Sequence, residues 1–151
     1  ELDYCFRTFD QIVERYGLEK IKTIGDAYLF ISKLDADPRE TALNCLRASR
    51  DIQVFLTSHA EQARKNGGPV FRARIGLHTG PLVTGVVGTH KFAYDIWGET
   101  VNVAARMESN GKPEGIVVSY ATHDLIRGEF HCTPYGTFEE HGREVEMWLV
   151  E

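Results

Sequence analysis

Two short runs with β-strand character, residues 19–24 and 27–32, are separated only by Gly25 and Asp26. This spacing constrains the fold more than any other feature of the sequence. A two-residue connection with glycine in first position is typical of a type II′ turn, which joins antiparallel strands in a hairpin. We therefore expect an antiparallel hairpin near the start of the chain.

Helical periodicity surrounds this hairpin. Residues 2–16 carry apolar side chains at steps of three and four, and Gly17 follows where a helix commonly ends. A second helix is predicted to begin with Asp37 as its N-cap and Pro38 in its first turn, and to end at Gly67. Shorter helical stretches cover residues 99–110 and 120–127.

The remaining segments have β-strand character. They comprise residues 70–78, 80–88, 92–97 and 116–118, and two strands within 130–150 that meet at 140–143. Strands and helices mingle without strict βαβ alternation, so the predicted class is α+β with a mostly antiparallel sheet. We expect helices to cover one face of that sheet.

Length and composition exclude several classes of protein. A chain of 151 residues with 42% hydrophobic and 26% charged residues is predicted to form a single globular domain. A net charge of −5 without any Lys/Arg run argues against nucleic-acid binding. No apolar run approaches the ~20 residues of a membrane span. The scattered cysteines Cys5, Cys45 and Cys132 favour reduced thiols in the cytoplasm.

The first candidate for chemistry is the pair Lys22 and Asp26. Alternation along a strand predicts that Lys20, Lys22 and Ile24 share one face, so that Lys22 and Asp26 meet near the end of the hairpin. The alternative is a solvated lysine beside an aspartate that simply suits the turn.

The second candidate comprises Asp95, Asn102 and Arg106. Asn102 and Arg106 lie four residues apart on a predicted helix and therefore share a face. A polar pair in an apolar frame needs a partner, and Asp95 lies just upstream. The alternative is a structural ion pair between Arg106 and a nearby carboxylate, Glu99 or Glu108.

Four glycines lie close together at positions 76, 80, 85 and 88, but their spacing matches neither standard phosphate-binding loop. We interpret them as sites of tight β packing and bulges. His78 and His90 are interpreted as structural or surface residues.

Three runs resemble the catalytic domain of class III nucleotide cyclases. They are EKIKTIGDAY at residues 19–28, RIGLHTGP at 74–81 and YDIWGETVNVAARME at 94–108. The resemblance spans nearly the whole chain, with three long motifs in the right order, and residues 1–151 are expected to form one catalytic domain. It implies a ferredoxin-like βαββαβ core with added strands and a head-to-tail dimer.

The resemblance also implies roles for single residues. Asp26 corresponds to one of two metal-binding aspartates, Lys22 and Asp95 to purine contacts, and Asn102 and Arg106 to groups that serve the ribose and the transition state. A lysine donor and an aspartate acceptor match N1 and the N6 amine of adenine, whereas similar guanylate enzymes place a Glu and a small polar residue there. The expected substrate is therefore ATP rather than GTP.

The implied reaction forms 3′,5′-cyclic AMP and pyrophosphate by attack of the ribose 3′-oxygen on the α-phosphorus, with two Mg²⁺ or Mn²⁺ ions per site. The site is divided between subunits, so a homodimer is expected, with residues 80–92 in its contact and an isolated monomer inactive. We expect a domain of a larger signalling protein, located in the cytoplasm and without direct membrane contact itself. The alternative is an inactive regulatory or nucleotide-binding module of the same fold.

Two departures from the family pattern stand out. The other metal aspartate belongs to a strand that precedes the first helix, and this strand is absent from the sequence, so we expect a domain truncated at its N-terminal end. The family's Lys-Gly-Lys motif for the triphosphate corresponds to His141-Gly142-Arg143, in which Arg143 keeps one cation. Whether His141 or Arg143 contacts the triphosphate stays open.

Overall fold

The computed structural model describes residues 1–91 and 93–151; Phe92, at the start of a predicted strand, lies outside the described residues. The described residues form four α-helices and eight β-strands in a mixed α+β fold, as the sequence predicts. The elements, in chain order, are α1 (Leu2–Arg15), β1 (Glu19–Ile24), β2 (Ala27–Ile31), α2 (Pro38–Asn66), β3 (Ile75–Leu77), β4 (Val83–Val87), β5 (Ala93–Trp97), α3 (Glu99–Ser109), β6 (Ile116–Ser119), α4 (Tyr120–Ile126), β7 (Cys132–Glu140) and β8 (Arg143–Val150).

The strands pair in three groups. β1 pairs with β2 and β4 with β5, while the four-stranded sheet has the order β3-β6-β8-β7. Only the β3–β6 pair is parallel among the described strands. The predicted antiparallel character is therefore confirmed.

Local signals account for the ends of α2. The Asp37 carboxylate accepts a hydrogen bond from the Glu40 backbone N–H at 3.1 Å, and Pro38 occupies the first turn, where its missing N–H costs nothing. Gly67 ends the helix in the left-handed conformation with φ +71°. Gly17 follows α1 with φ +70°, as its position predicts.

The expectation that helices cover one face of the sheet is wrong at β6, whose four residues are all buried. Ile116 and Val118 belong to an apolar cluster with α2 and α4, whereas Val117 belongs to another with Val103 and Met107 of α3. The strand is therefore covered on both faces. This places α3, which carries Asn102 and Arg106, on the opposite side of β6 from α2.

β3 is shorter than the predicted strand over residues 70–78. It pairs with β6 over three residues, from Ile75↔Ile116 to Leu77↔Val118, and residues before Ile75 have no β6 residue to pair with. Arg72 and Arg74 instead form ion pairs with Glu114 at 3.5 Å and Glu108 at 3.1 Å.

Candidate nucleotide site

The Lys22 ammonium and the Asp95 carboxylate form a hydrogen-bonded ion pair between β1 and β5. Lys22 Nζ lies 2.9 Å from Asp95 Oδ2, and Asp95 Oδ1 accepts a hydrogen bond from the Ile96 N–H at 2.8 Å. The Asp95 side chain is only 15% exposed, against 41% for Lys22. The hydrogen bond from Lys22, supported by that from Ile96, holds the pKa of Asp95 below its usual value.

An irregularity in β1 brings this lysine to Asp95. Lys20 pairs with Phe30 and Lys22 with Leu29, so Ile21 is an extra residue between them. A bulge of this kind reverses the side-chain alternation beyond it. Lys20 and Lys22 therefore lie on opposite faces, which corrects the expectation that they share one.

The contacts of the two lysines agree with this reversal. Lys20 Nζ lies 3.2 Å from the Asp10 carboxylate of α1 and 5.4 Å from the centre of the Tyr28 ring. Lys22 reaches Asp95 on β5 and not Asp26, with which we expected it to meet. Asp26 is exposed in the β1–β2 turn.

Arg106 projects from α3 onto the end of β7. Its Nη1 donates to Glu140 Oε1 at 3.0 Å and to the backbone carbonyl of Glu139, and its Cζ lies 4.7 Å from the centre of the Phe138 ring. Neither carboxylate that we considered as a structural partner, Glu99 or Glu108, is the one that it binds. Asn102, one turn earlier on α3, is exposed.

A tight turn at His141 and Gly142 joins β7 to β8. Both residues have positive φ, +50° and +77°, the signature of a two-residue type I′ hairpin. Glu140 and Arg143 face each other across this turn, and His141 Nε2 lies 3.2 Å from Glu140 Oε2. Opposed residues in an antiparallel pair share a face, so the exposed Arg143 lies on the face where Glu140 meets Arg106.

The sequence analysis missed Glu140. Phe138 and Glu140 lie two positions apart and therefore share one face of a predicted strand. Nothing in this spacing links them to an arginine more than 30 positions away. The cue present in the sequence is a carboxylate immediately before the His-Gly-Arg turn.

The described residues do not by themselves provide a complete metal site. Asp26 offers oxygen ligands of the type that Mg²⁺ and Mn²⁺ prefer. However, no group of three or more His, Cys, Asp or Glu residues suited to a metal ion occurs in the described ranges. A single exposed carboxylate does not fit a two-metal site.

Close packing explains Gly76 and Gly80, as interpreted from the sequence. A Cβ on Gly76 would lie 2.3 Å from the Glu108 backbone nitrogen, and one on Gly80 would lie 2.5 Å from Thr100 Oγ1. His78 is structural, since its Nδ1 lies 2.7 Å from Ser119 Oγ, and burial lowers its pKa. Across residues 1–91 and 93–151, no helix has both the length and the apolar character needed to cross a membrane.

The family description "Adenylate and Guanylate cyclase catalytic domain" matches residues 1–151. An adenylate cyclase of Mycobacterium tuberculosis is 37% identical over 150 residues, covering 99% of this chain and 33% of the relative. The receptor-type guanylate cyclase gcy-23 of Caenorhabditis elegans is 35% identical over 155 residues, covering 99% and 14%. The chain thus spans a third or less of these two relatives.

Solved structures agree with this match. The guanylate cyclase domain of RhGC from Catenaria anguillulae, in complex with GTP, has a TM-score of 0.87 and 31% identity, covering 99% of this chain and 81% of that one. The guanylyl cyclase domain of the RhoGC fusion protein from Blastocladiella emersonii, described as a non-canonical dimer, has a TM-score of 0.82 and 32% identity, covering 98% of this chain and 80% of that one. The chain belongs to the adenylate and guanylate cyclase catalytic domain family, and is a class III nucleotide cyclase domain. Relatives of both specificities are similar to it.

Proposed function

We propose that this domain is an adenylate cyclase, which converts ATP to 3′,5′-cyclic AMP and pyrophosphate. The observation that carries the proposal is the Lys22–Asp95 pair, with its 2.9 Å hydrogen bond. The Watson–Crick edge of adenine presents an acceptor at N1 and a donor at the N6 amine. An ammonium donor beside a carboxylate acceptor is complementary to that edge.

Guanine presents the reverse order, an acceptor at O6 and a donor at N1. Against Lys22 and Asp95 it would leave polar groups unmatched in the pocket. Each unmatched buried group costs on the order of 1–3 kcal/mol, which corresponds to roughly 10- to 100-fold in selectivity. The pair therefore favours ATP over GTP.

In the proposed reaction the ribose 3′-oxygen attacks the α-phosphorus. A new P–O bond closes the cyclic ester, the bond to the bridging α–β oxygen breaks and pyrophosphate leaves, while the proton of the 3′-hydroxyl passes to solvent water. Arg106 would hold a fixed positive charge beside the α-phosphoryl oxygens, where negative charge develops. Asn102, on the same face of α3, would orient the ribose, and Arg143 would contact the triphosphate.

Class III cyclases generally depend on divalent metals. We propose that Asp26 contributes one carboxylate to a Mg²⁺ or Mn²⁺ site, and that its other ligands lie outside the described residues.

We further propose that two copies of the domain share their active sites. The β4–β5 ribbon supports this proposal, because it exposes more than a third of each of five large apolar residues: Val83, Val86, Val87, Tyr94 and Trp97. Val83, Val87 and Trp97 share one face of the ribbon and Val86 and Tyr94 share the other, and exposed apolar side chains grouped on a face are typical of an interaction surface. Asp95 lies on β5, so the proposed interface adjoins the proposed purine contacts.

We place the domain in the cytoplasm, within a larger signalling protein. ATP as the substrate and the free thiols of Cys5, Cys45 and Cys132 support that location.

The test is an assay of cyclic-nucleotide formation by the full-length protein with Mn²⁺ and either ATP or GTP. We expect cyclic AMP from ATP, with kcat/KM for ATP above that for GTP. Binding of ATP without any cyclic product would refute catalysis and support the inactive nucleotide-binding module.

A double variant tests the basis of the preference. Lys22→Glu with Asp95→Ser places a carboxylate and a small polar residue where the adenine contacts are proposed. We expect the ratio of kcat/KM for ATP to that for GTP to fall by about 10- to 100-fold. Lys20→Glu, on the opposite face of β1, is the matched control and should leave the ratio unchanged.

A further inference from the structure

The strongest unassigned feature is the carboxylate of Glu140, which bridges two groups at the end of β7. Its Oε1 lies 3.0 Å from Arg106 Nη1 and its Oε2 lies 3.2 Å from His141 Nε2. The Glu140 side chain is 11% exposed, whereas those of Arg106 and His141 are 43% and 71% exposed. A nearly buried carboxylate thus uses one oxygen for each of two more exposed side chains.

The contacts of Arg106 fix the orientation of its guanidinium. Within the described part of the chain, its side-chain hydrogen bonds are made through Nη1, to Glu139 and Glu140, and one face of the group lies over Phe138. All three partners are consecutive residues of β7. Nη2 and Nε remain as donors for an anion beside α3.

We propose that Glu140 is a positioning residue of the cyclase reaction, which holds the Arg106 guanidinium toward the α-phosphate and joins it to the His141-Gly142-Arg143 turn. This inference rests on the proposed function, because it needs Arg106 to act on the transition state. Glu140 itself touches neither the substrate nor the reacting atoms. It acts by limiting the positions that Arg106 adopts before substrate binds.

Geometry rather than charge is the basis of this role. A negative charge near the α-phosphate opposes the binding of a triphosphate, so the charge of Glu140 is not itself an advantage. An oriented guanidinium needs little reorganisation when charge develops beside it. A displacement of about 1 Å in a catalytic group can lower the rate by about 100-fold.

Three substitutions separate position from charge. Glu140→Gln keeps the length of the side chain and an oxygen acceptor for Arg106, Glu140→Asp keeps the charge but withdraws it by one methylene, and Glu140→Ala removes both. Glu144→Ala is the matched control, because Glu144 is an exposed carboxylate on the same hairpin. Each variant is assayed in the full-length protein with ATP, and its thermal unfolding is measured alongside.

We expect Glu140→Ala and Glu140→Asp to lower kcat by about 10- to 100-fold. KM for ATP should change by less than about threefold, because the lost interaction belongs to the transition state. Glu140→Gln should stay within about threefold of the wild type in kcat, and Glu144→Ala should match the wild type. If Glu140→Ala fails to fold, the comparison of kcat between Glu140→Gln and Glu140→Asp decides whether position or charge matters.

Two results would overturn the inference while leaving the proposed function intact. One is a kcat of Glu140→Ala equal to that of the wild type. The other is an active Glu140→Asp with an inactive Glu140→Gln, which would assign the role to the charge of the side chain. A wild-type protein that makes no cyclic product would refute the proposed function and this inference together.

Discussion

At the scale of single residues, Asp95 shows how much of the site a sequence can predict. Lys22 and Asp95 are named by the motifs that contain them, yet their 2.9 Å contact joins residues 73 positions apart, and no local pattern predicts it. The contact of Arg106 with Glu140 was missed for the same reason. Motifs single out candidate side chains, whereas their partners from distant strands depend on how the sheets are arranged.

The lowered pKa of Asp95 gives a prediction about acid stability. Since Lys22 and the Ile96 N–H stabilise the carboxylate, the folded protein binds this proton more weakly than the unfolded chain does. The resulting stability is present above the ordinary carboxyl pKa of about 3.9 and is lost as the pH falls through the lower folded value. Denaturant unfolding of Asp95→Asn and the wild type should therefore differ by a constant amount between about pH 5 and 8, and converge below about pH 4.

The control for this titration is Asp35→Asn, in an exposed turn after β2. Its free energy of unfolding should stay within about 0.5 kcal/mol of that of the wild type, as is usual for an exposed substitution. The lowered pKa of Asp95 would be contradicted if the difference in free energy of unfolding between Asp95→Asn and the wild type closed near neutral pH or persisted at pH 2.

At the scale of secondary-structure elements, helix ends were more predictable than strand faces. The bounds of α2 follow from Asp37, Pro38 and Gly67, whose effects act within one turn of the helix. The face of Lys22 instead depends on the bulge at Ile21, which is defined by pairing with β2. The length of β3 likewise depends on where β6 begins.

Gly76 provides a test of how α3 is seated on the sheet. A Cβ at this position would lie 2.3 Å from Glu108 N and 2.7 Å from Met107 C, and backbone atoms cannot rotate away. We expect Gly76→Ala to lower the free energy of unfolding by about 1–3 kcal/mol, the usual cost of overpacking. Thermal and denaturant unfolding measure the loss.

Gly68→Ala is the matched control, since the nearest atoms to its added Cβ are 4.0 Å away. It should be neutral or slightly stabilising, through the reduced entropy of the unfolded chain. Equal stability of the two variants would show that α3 does not press against β3 as described.

At the scale of the whole molecule, the residues of the proposed site come from separate parts of the fold. Asp26 lies in the β1–β2 turn, whereas Asn102 and Arg106 lie on α3, which packs on β3 and β6. The sequence predicts both sets of residues and the α+β class. It does not predict that α2 and α3 lie on opposite faces of β6, because the apolar run at 116–118 is too short to show which elements cover its two faces.

Complementation tests the shared-site dimer. Asp26→Ala and Arg106→Ala should each be inactive alone, but a mixture should regain about a quarter of wild-type activity. Random exchange makes about half of the dimers mixed, and each mixed dimer restores one of its two sites. Cyclic AMP formation is measured after the two variants are co-refolded.

Asn102→Ala mixed with Arg106→Ala is the control, because both residues lie on α3 and every site would keep one defect. This mixture should stay inactive. Two results would contradict the proposed sharing of each active site between subunits. One is recovery of activity in this control mixture, and the other is a lack of recovery in the mixture of Asp26→Ala with Arg106→Ala.

The extra residue Ile21 turns the two halves of β1 toward different neighbours. The first half of β1 is tied through Lys20 to Asp10 and Tyr28, and its second half carries Lys22 to Asp95 on β5. Two neighbouring positions of one strand therefore have separate structural tasks: Lys20 holds the hairpin to α1, and Lys22 contacts β5.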